Sequence, residues 1–374
     1  MTGKIEAIEA ERPGAQEVRL RVESPAGDDS TRRALNLIAL NGPVVVGESV
    51  LVNTIAVELG LGSGGLDFVL ARLNTSQEVS PAGHILKMRY TPLQMPVLSV
   101  EAPESAHHDA LRLFASLDDI PVVCTELHSQ VPAVCASAKW ALRECGFSES
   151  RIAYVMTDGS ALPLALSRLV PQMRGKGLID ATITAGQAFG GDYEAINIYS
   201  ALAAAKEVAQ ADIIVVGQGP GNAGTDTPLG FSGIDQGIAV NAAASLGGMP
   251  IVVARISFAD RRDRHYGLSH HTLTILRHVA RAHTLLPLPR LPDPQRRILW
   301  SSYERAELEE DHQPILVDAD MALEALLATG IEVTTMGRSI DEDRPFFLSA
   351  AAAGLIAAQL VEARALAGTP MLEE

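Results

Sequence analysis

Aromatic residues are scarce in this chain. Two Trp, six Tyr and eight Phe amount to 4% of 374 residues. The core must therefore be built from Ala, Val, Leu and Ile, and few rings remain as stacking platforms for bases or flat cofactors. Basic residues are also in deficit: 30 Lys and Arg against 45 Asp and Glu leave a net charge of −15. That balance speaks against the broad basic face that nucleic acid requires. Only three cysteines occur, Cys124, Cys135 and Cys145, in an odd count without metal-type spacing, so buried reduced thiols in a cytoplasmic protein are expected. The N-terminus lacks a basic stretch followed by an apolar one, so no secretory signal is expected. The longest apolar run, 346–361, falls short of the ~20 residues a membrane span needs. Its alanines suit a close-packed helix, and no membrane association is expected.

What is present is ordinary globular composition, 47% hydrophobic and 20% charged. Residues 1–92 read as a small β-barrel, SH3-like or oligonucleotide-binding-like, with short alternating segments at 17–22 and 66–72 and turns at 12–14, 25–27 and 60–65. A Gly47-Glu48 turn separates two apolar runs within 43–53. Residues 93–118 read as a connector. From 119 to 374, strand-like runs at 120–125, 152–157, 181–184, 213–216, 251–256, 284–286, 315–317 and 331–335 alternate with helical stretches at 134–145, 162–174, 195–209, 238–246, 272–282 and 321–328. Near-continuous apolar strands between helices imply an α/β domain: a doubly wound, mostly parallel Rossmann-like sheet with helices on both faces, ending in the alanine-rich helix.

Ligands of open parallel sheets bind beyond the carboxyl ends of the strands. Five successive strand ends here carry polar residues or glycines, including His128, Asp158 and Arg255. The loop Gly219-Pro-Gly221-Asn222-Ala-Gly224-Thr225 fits the dinucleotide glycine pattern, but no helix follows at once and no Walker Lys is present. NAD and FAD are therefore not expected. Either a backbone nest for phosphate or carboxylate, or a tight turn that lets loops approach, accounts for the glycines. Asp158 and Asp192 suit helix capping as well as chemistry.

The densest cluster runs from Asp260 through Arg262 and His265 to His270 and His271, with three of the ten histidines inside seven residues. Imidazole beside carboxylate suits a divalent metal, with Asp260 and His271 as ligands, or proton transfer by His265 and His270 together with His128 and Asp158. The arginines Arg255 and Arg262 suit an anionic ligand. Adjacent His270 and His271 are expected to point apart, with one at most facing a site. No G-x-S-x-G elbow occurs, and Cys124 lies inside an apolar run, so neither a serine nor a cysteine nucleophile is expected.

The strings Tyr154-Val-Met-Thr-Asp-Gly159, Gly186-Gln-Ala-Phe-Gly-Gly-Asp192, Gly219-Pro-Gly221, Ser269-His-His-Thr272 and Thr335-Met-Gly-Arg338 resemble a bacterial family, domain of unknown function 3866. So do the barrel segments Val50-Leu-Val-Asn-Thr54 and Val57-Glu-Leu-Gly-Leu-Gly62. The resemblance implies a soluble bacterial protein and says nothing about catalytic residues. The favoured reading is an enzyme of hydrolysis or group transfer on a small anionic substrate, phosphorylated or nucleotide-like, with a divalent metal as an optional element. The alternative is a non-catalytic ligand-sensing or partner-binding protein that uses the barrel. RNA binding through the barrel is a third reading that the charge disfavours. Assembly into a homo-oligomer is compatible with the alanine-rich helix.

Overall fold

The computed structural model describes residues 1–22, 30–75, 83–308 and 311–367. The turn expected at 25–27 lies outside them. Strands β1 (Thr2–Arg12), β2 (Ala15–Val22), β3 (Ser30–Leu37), β4 (Ser49–Asn53) and β5 (Asp67–Arg72) form a closed barrel in the order β1-β2-β3-β5-β4. Its core is aliphatic, filled by Ile5, Val18, Leu20, Val22, Val50, Val52 and Val69. The expected Gly47-Glu48 turn is present as a turn at 46–47, but the apolar run before it forms no strand. Val45 and Val46 instead stand 59% and 61% exposed.

A hairpin straddles the expected boundary: β6 (Ile85–Lys87), in the region expected to belong to the barrel, pairs with β7 (Met95–Val97) of the connector, and Lys87 ties it to the second domain. There β8 (Pro121–Thr125), β9 (Ile152–Thr157), β10 (Ala181–Ala185), β11 (Tyr193–Ala195), β12 (Ile213–Gln218) and β13 (Met249–Val252) are followed by a small hairpin of β14 (Ile256–Ser257) and β15 (Gly267–Leu268), then by β16 (Thr284–Pro289) and β17 (His312–Val317). Eight of these make one sheet in the order β11-β10-β9-β12-β8-β13-β16-β17, with every pair parallel. Strands β8, β9, β10 and β12 are buried at every position, as strands covered on both faces must be.

Three expectations fail locally. The run 251–256 is broken after Val252, and Ile256 joins the small hairpin instead. Residues 331–335 form no strand: Ile331 and Val333 are buried, but the segment adds no ladder to the sheet edge at β17. The long helix at 162–174 shrinks to Leu169–Gly175, whereas the one at 272–282 is present, shifted to His270–Thr274 and continuing as a π-helical turn at Ile275–Val279. Cys124 and Cys135 are buried as expected, whereas Cys145 is exposed just past the end of helix Val131–Glu144.

The strand order decides where a ligand would sit. β8 leads away toward β9, and β12 leads the opposite way toward β13, although β8 and β12 are neighbours. Right-handed crossovers then put the two following helices, Val131–Glu144 and Asp235–Ser245, on opposite faces. In open α/β sheets such a reversal marks the carboxyl ends of the neighbouring strands, here β8 and β12, as the place where ligands bind. On the first face, helix Arg344–Ala367 packs along Val131–Glu144. It is long and apolar enough to cross a membrane, and 72% of its apolar window is buried inside the fold.

Candidate functional site

Glu126 follows β8 directly, at that switch point, and is fully buried. Its Oε1 accepts from Arg255 Nη1 at 3.0 Å, from His271 Nδ1 at 2.6 Å and from Asn222 Nδ2 at 3.4 Å. Burial works against its charge, yet Arg255 and His271 hold the carboxyl below the usual carboxylate range. Its Oε2 has no hydrogen-bond partner among the described residues. A carboxylate can only accept, so the His271 Nδ1 facing it carries a hydrogen and Nε2 is the ring nitrogen turned away from Glu126. Phe231 stacks on the His271 ring at 3.7 Å and 6° and fixes its plane.

Arg255 is the buried first link of an ion-pair chain that runs out toward the surface. Its Nη2 lies 3.8 Å from Asp260, whose carboxylate is bound by Arg262 at 2.9 and 2.7 Å. Arg338 reaches Asp260 at 3.6 Å and Asp343 at 3.0 Å, and Asp343 also accepts from Ser257 Oγ at 2.7 Å. Through the hydrogen bond of Arg262, aided by its charge, the Asp260 carboxyl is held far below its ordinary value. Three carboxylates thus offset three guanidiniums, and neither Arg255 nor Arg262 is left as a spare cation.

The small hairpin brings the histidines onto this chain. Ser257 pairs with Gly267, so the intervening loop returns His265 beside the helix that opens at His270. Ser269 caps that helix: its Oγ accepts from His271 N–H at 3.2 Å and lies 2.8 Å from His265 Nδ1. His265, His270 and His271 each place a ring nitrogen within 4.8 Å of the others. His270 Nε2 is buried without a partner. Burial, with Arg255 and Arg262 nearby, pushes His265 down to about 3; burial and the neighbouring His271 push His270 down to about 4. Both imidazoles are therefore neutral at pH 7. The expectation that His270 and His271 point apart fails, because their ring centroids lie 4.4 Å from each other on the first turn of the helix.

The glycine-rich loop folds over Glu126 from the other side. Gly221 has φ +99°, and a Cβ on Gly219 would lie 2.7 Å from the Ala161 carbonyl, so both glycines serve a close-packed turn. Asn222 is locked by Ser232 Oγ at 2.7 Å and Gly233 N–H at 3.1 Å, while Thr225 closes the loop tip on the Gly230 carbonyl. Gly224 bridges to Phe231 and thereby ties the loop to the ring stacked on His271.

Other expected site residues lie apart. His128 spends both ring nitrogens inside the core, on Tyr154 Oη at 3.0 Å and Ser167 Oγ at 2.7 Å. Asp158 is exposed and accepts the Gln187 N–H at 2.8 Å. Asp192 caps no helix; it accepts from Thr182 N–H and pairs with Arg174, and Asn197 caps the next helix. Sequence reasoning did not single out Glu126, Asp235, Arg338 or Asp343. Only Glu126 carried a signal, its place immediately after a near-continuously apolar strand. Asp235 bonds Thr157, and burial, with Asp158 close by, raises its carboxyl above the ordinary value. A surface cavity of about 290 Å³ next to His270 is lined by Arg277, His278, Ser302 and Arg305, also unanticipated.

No curated protein and no solved structure matches this chain. Residues 33–354 match the family described as protein of unknown function (DUF3866), and the chain belongs to that family.

Proposed function

We propose that the protein is an enzyme that performs hydrolysis or group transfer on a small anionic substrate, phosphorylated or nucleotide-like, where β8, β12 and β13 end. The observation that carries this reading is the buried Glu126–His271 pair at 2.6 Å. Such a carboxylate fixes the tautomer of its imidazole and leaves a basic nitrogen turned toward the site. Because Arg255 and Arg262 are already paired, substrate charge is met instead in the cavity beside His270. Arg277 and Arg305 line it, and Arg277 has only a distant exposed partner, Glu307 at 3.8 Å. The reading includes a cytoplasmic location, in keeping with three free cysteines.

Calorimetric titration of the full chain with inorganic phosphate, nucleotides and sugar phosphates tests this. Binding is expected for at least one class, weaker at high salt and weaker in an Arg277→Ala, Arg305→Ala variant. Absence of binding by every anion rejects the reading. The barrel supports the alternative through its exposed apolar side chains, Val46 at 61% and Leu59 at 64%. A partner captured by the full chain and lost in Val46→Asp, with no anion bound, would favour a binding module.

A further inference from the structure

We infer that His265, His270 and His271 form a site for one divalent transition-metal ion of the zinc class, with Glu126 as the carboxylate that orients His271. This deepens the reading above and rests on the same site. Three imidazole rings each already bring a ring nitrogen to within 4.8 Å of the others. Around a tetrahedral ion with bonds of about 2.0–2.1 Å the donors stand roughly 3.4 Å apart, so His265 and His270 would close the set by rotating toward the fixed His271 ring.

The hydrogen bonds on the outer nitrogens suit this use. His271 gives its Nδ1 hydrogen to Glu126, the carboxylate–imidazole pairing that supports metal-bound histidines. His265 uses Nδ1 toward Ser269. Its Nε2, like that of His271, makes no hydrogen bond among the described residues. His270 Nε2 and Glu126 Oε2 are both buried without partners, a cost that an ion in the site would offset for the ring nitrogen directly. Asp260 is not a ligand in this arrangement, since Arg262 occupies both of its oxygens.

Charge argues for the same occupant. Glu126, Asp260 and Asp343 are balanced by Arg255, Arg262 and Arg338. An ion on three neutral imidazoles keeps its double positive charge, which an anionic substrate would meet. Nitrogen donors select zinc, cobalt, nickel or copper over magnesium and calcium. Three protein ligands leave the fourth position to water or a substrate oxygen, the arrangement of catalytic rather than structural zinc sites.

The test strips the full chain with chelator and titrates it with Zn²⁺ by calorimetry and with Co²⁺ by visible absorption. One equivalent is expected to bind, with the absorption bands of four-coordinate Co²⁺. His270→Ala and His265→Ala, shown by circular dichroism to be folded, should each weaken binding by about 100-fold or more. His283→Ala should not. No tight equivalent in the parent chain, or unchanged affinity in both variants, overturns the site. Inorganic phosphate is then titrated into the stripped and the Zn²⁺-loaded protein. Metal uptake without phosphate binding keeps the metal site and rejects the anionic substrate. Phosphate binding by a protein that takes up no metal does the reverse.

Discussion

Glu126 Oε1 and His271 Nδ1 lie 2.6 Å apart, although 145 residues separate them in the chain. The contact joins the end of β8 to the first turn of the helix at His270, and Arg255 completes it at 3.0 Å. Four consequences of this and other buried polar contacts can be measured.

Glu126→Gln should leave Arg255 charged, buried and poorly compensated. The expected loss is about 3 kcal/mol or more in urea denaturation. Adding Arg255→Met should recover part of it, because the orphaned charge is then gone. A cost below about 1 kcal/mol for the single change would contradict the buried pairing.

His128 gives a pH signature. Burial pushes its folded-state pKa down to about 4 from the ordinary 6.5. Below 6.5 the unfolded chain takes up a proton that the folded chain refuses until about pH 4. The stability from a neutral His128 is therefore complete above pH 6.5 and is lost as pH falls toward 4, a total of about 3 kcal/mol. In His128→Gln, stability measured across that window should fall less steeply with acidification, by about 1.4 kcal/mol per pH unit. Parallel profiles for parent and variant would refute the assignment.

Gly354 reverses a familiar sign. In an exposed helix Gly→Ala is stabilising by about 1 kcal/mol. Here a Cβ would stand 2.0 Å from Ser137 Oγ and 2.3 Å from the Val134 carbonyl, where helix Arg344–Ala367 crosses Val131–Glu144. Gly354→Ala should destabilise by about 1–3 kcal/mol, read as a lower Tm. An unchanged or raised Tm would show that the helices do not meet this closely.

Lys87 anchors the β6–β7 hairpin to the sheet. Its ammonium donates to the Thr184 carbonyl at 2.9 Å and to Glu194 at 2.6 Å, while 1% exposed. Lys87→Met keeps most of the side-chain volume but strands those acceptors, at an expected cost of about 2–4 kcal/mol. Protease cleavage within 85–97 should quicken in the variant; an unaltered cleavage rate would separate Lys87 from the anchoring of the hairpin.

Strands buried on both faces were the most legible part of the fold. The apolar run 152–157 coincides with β9, because such a strand carries its signal in consecutive residues. The apolar run 284–286 stops short of Pro287 and Pro289 and marks only half of β16. β16 continues through both prolines, since on the β13 side it pairs only at Leu285 and no donor is needed there. Residues 331–335 misled in the other direction: their burial alternates, yet no strand edge lies alongside to receive them.

The histidine cluster could be read directly, because His265, His270 and His271 are close in the chain and imidazoles are rare. Glu126 could not, because one carboxylate after a strand resembles any other until its partners arrive from elsewhere. The same holds for Arg338 and Asp343, which reach Asp260 and Ser257 only across the folded domain.

Composition and local pattern were enough for an aliphatic core, a barrel followed by a parallel sheet, and a polar rim at the strand ends. Folding alone chose which of those polar groups meet. The β8 and β12 connections leave in opposite directions, and burial where they part makes charges pair with one another before they can serve a ligand. That selection assembled Glu126 with Arg255 and His271, consigned His128 to the core, and left the three histidine rings facing one another.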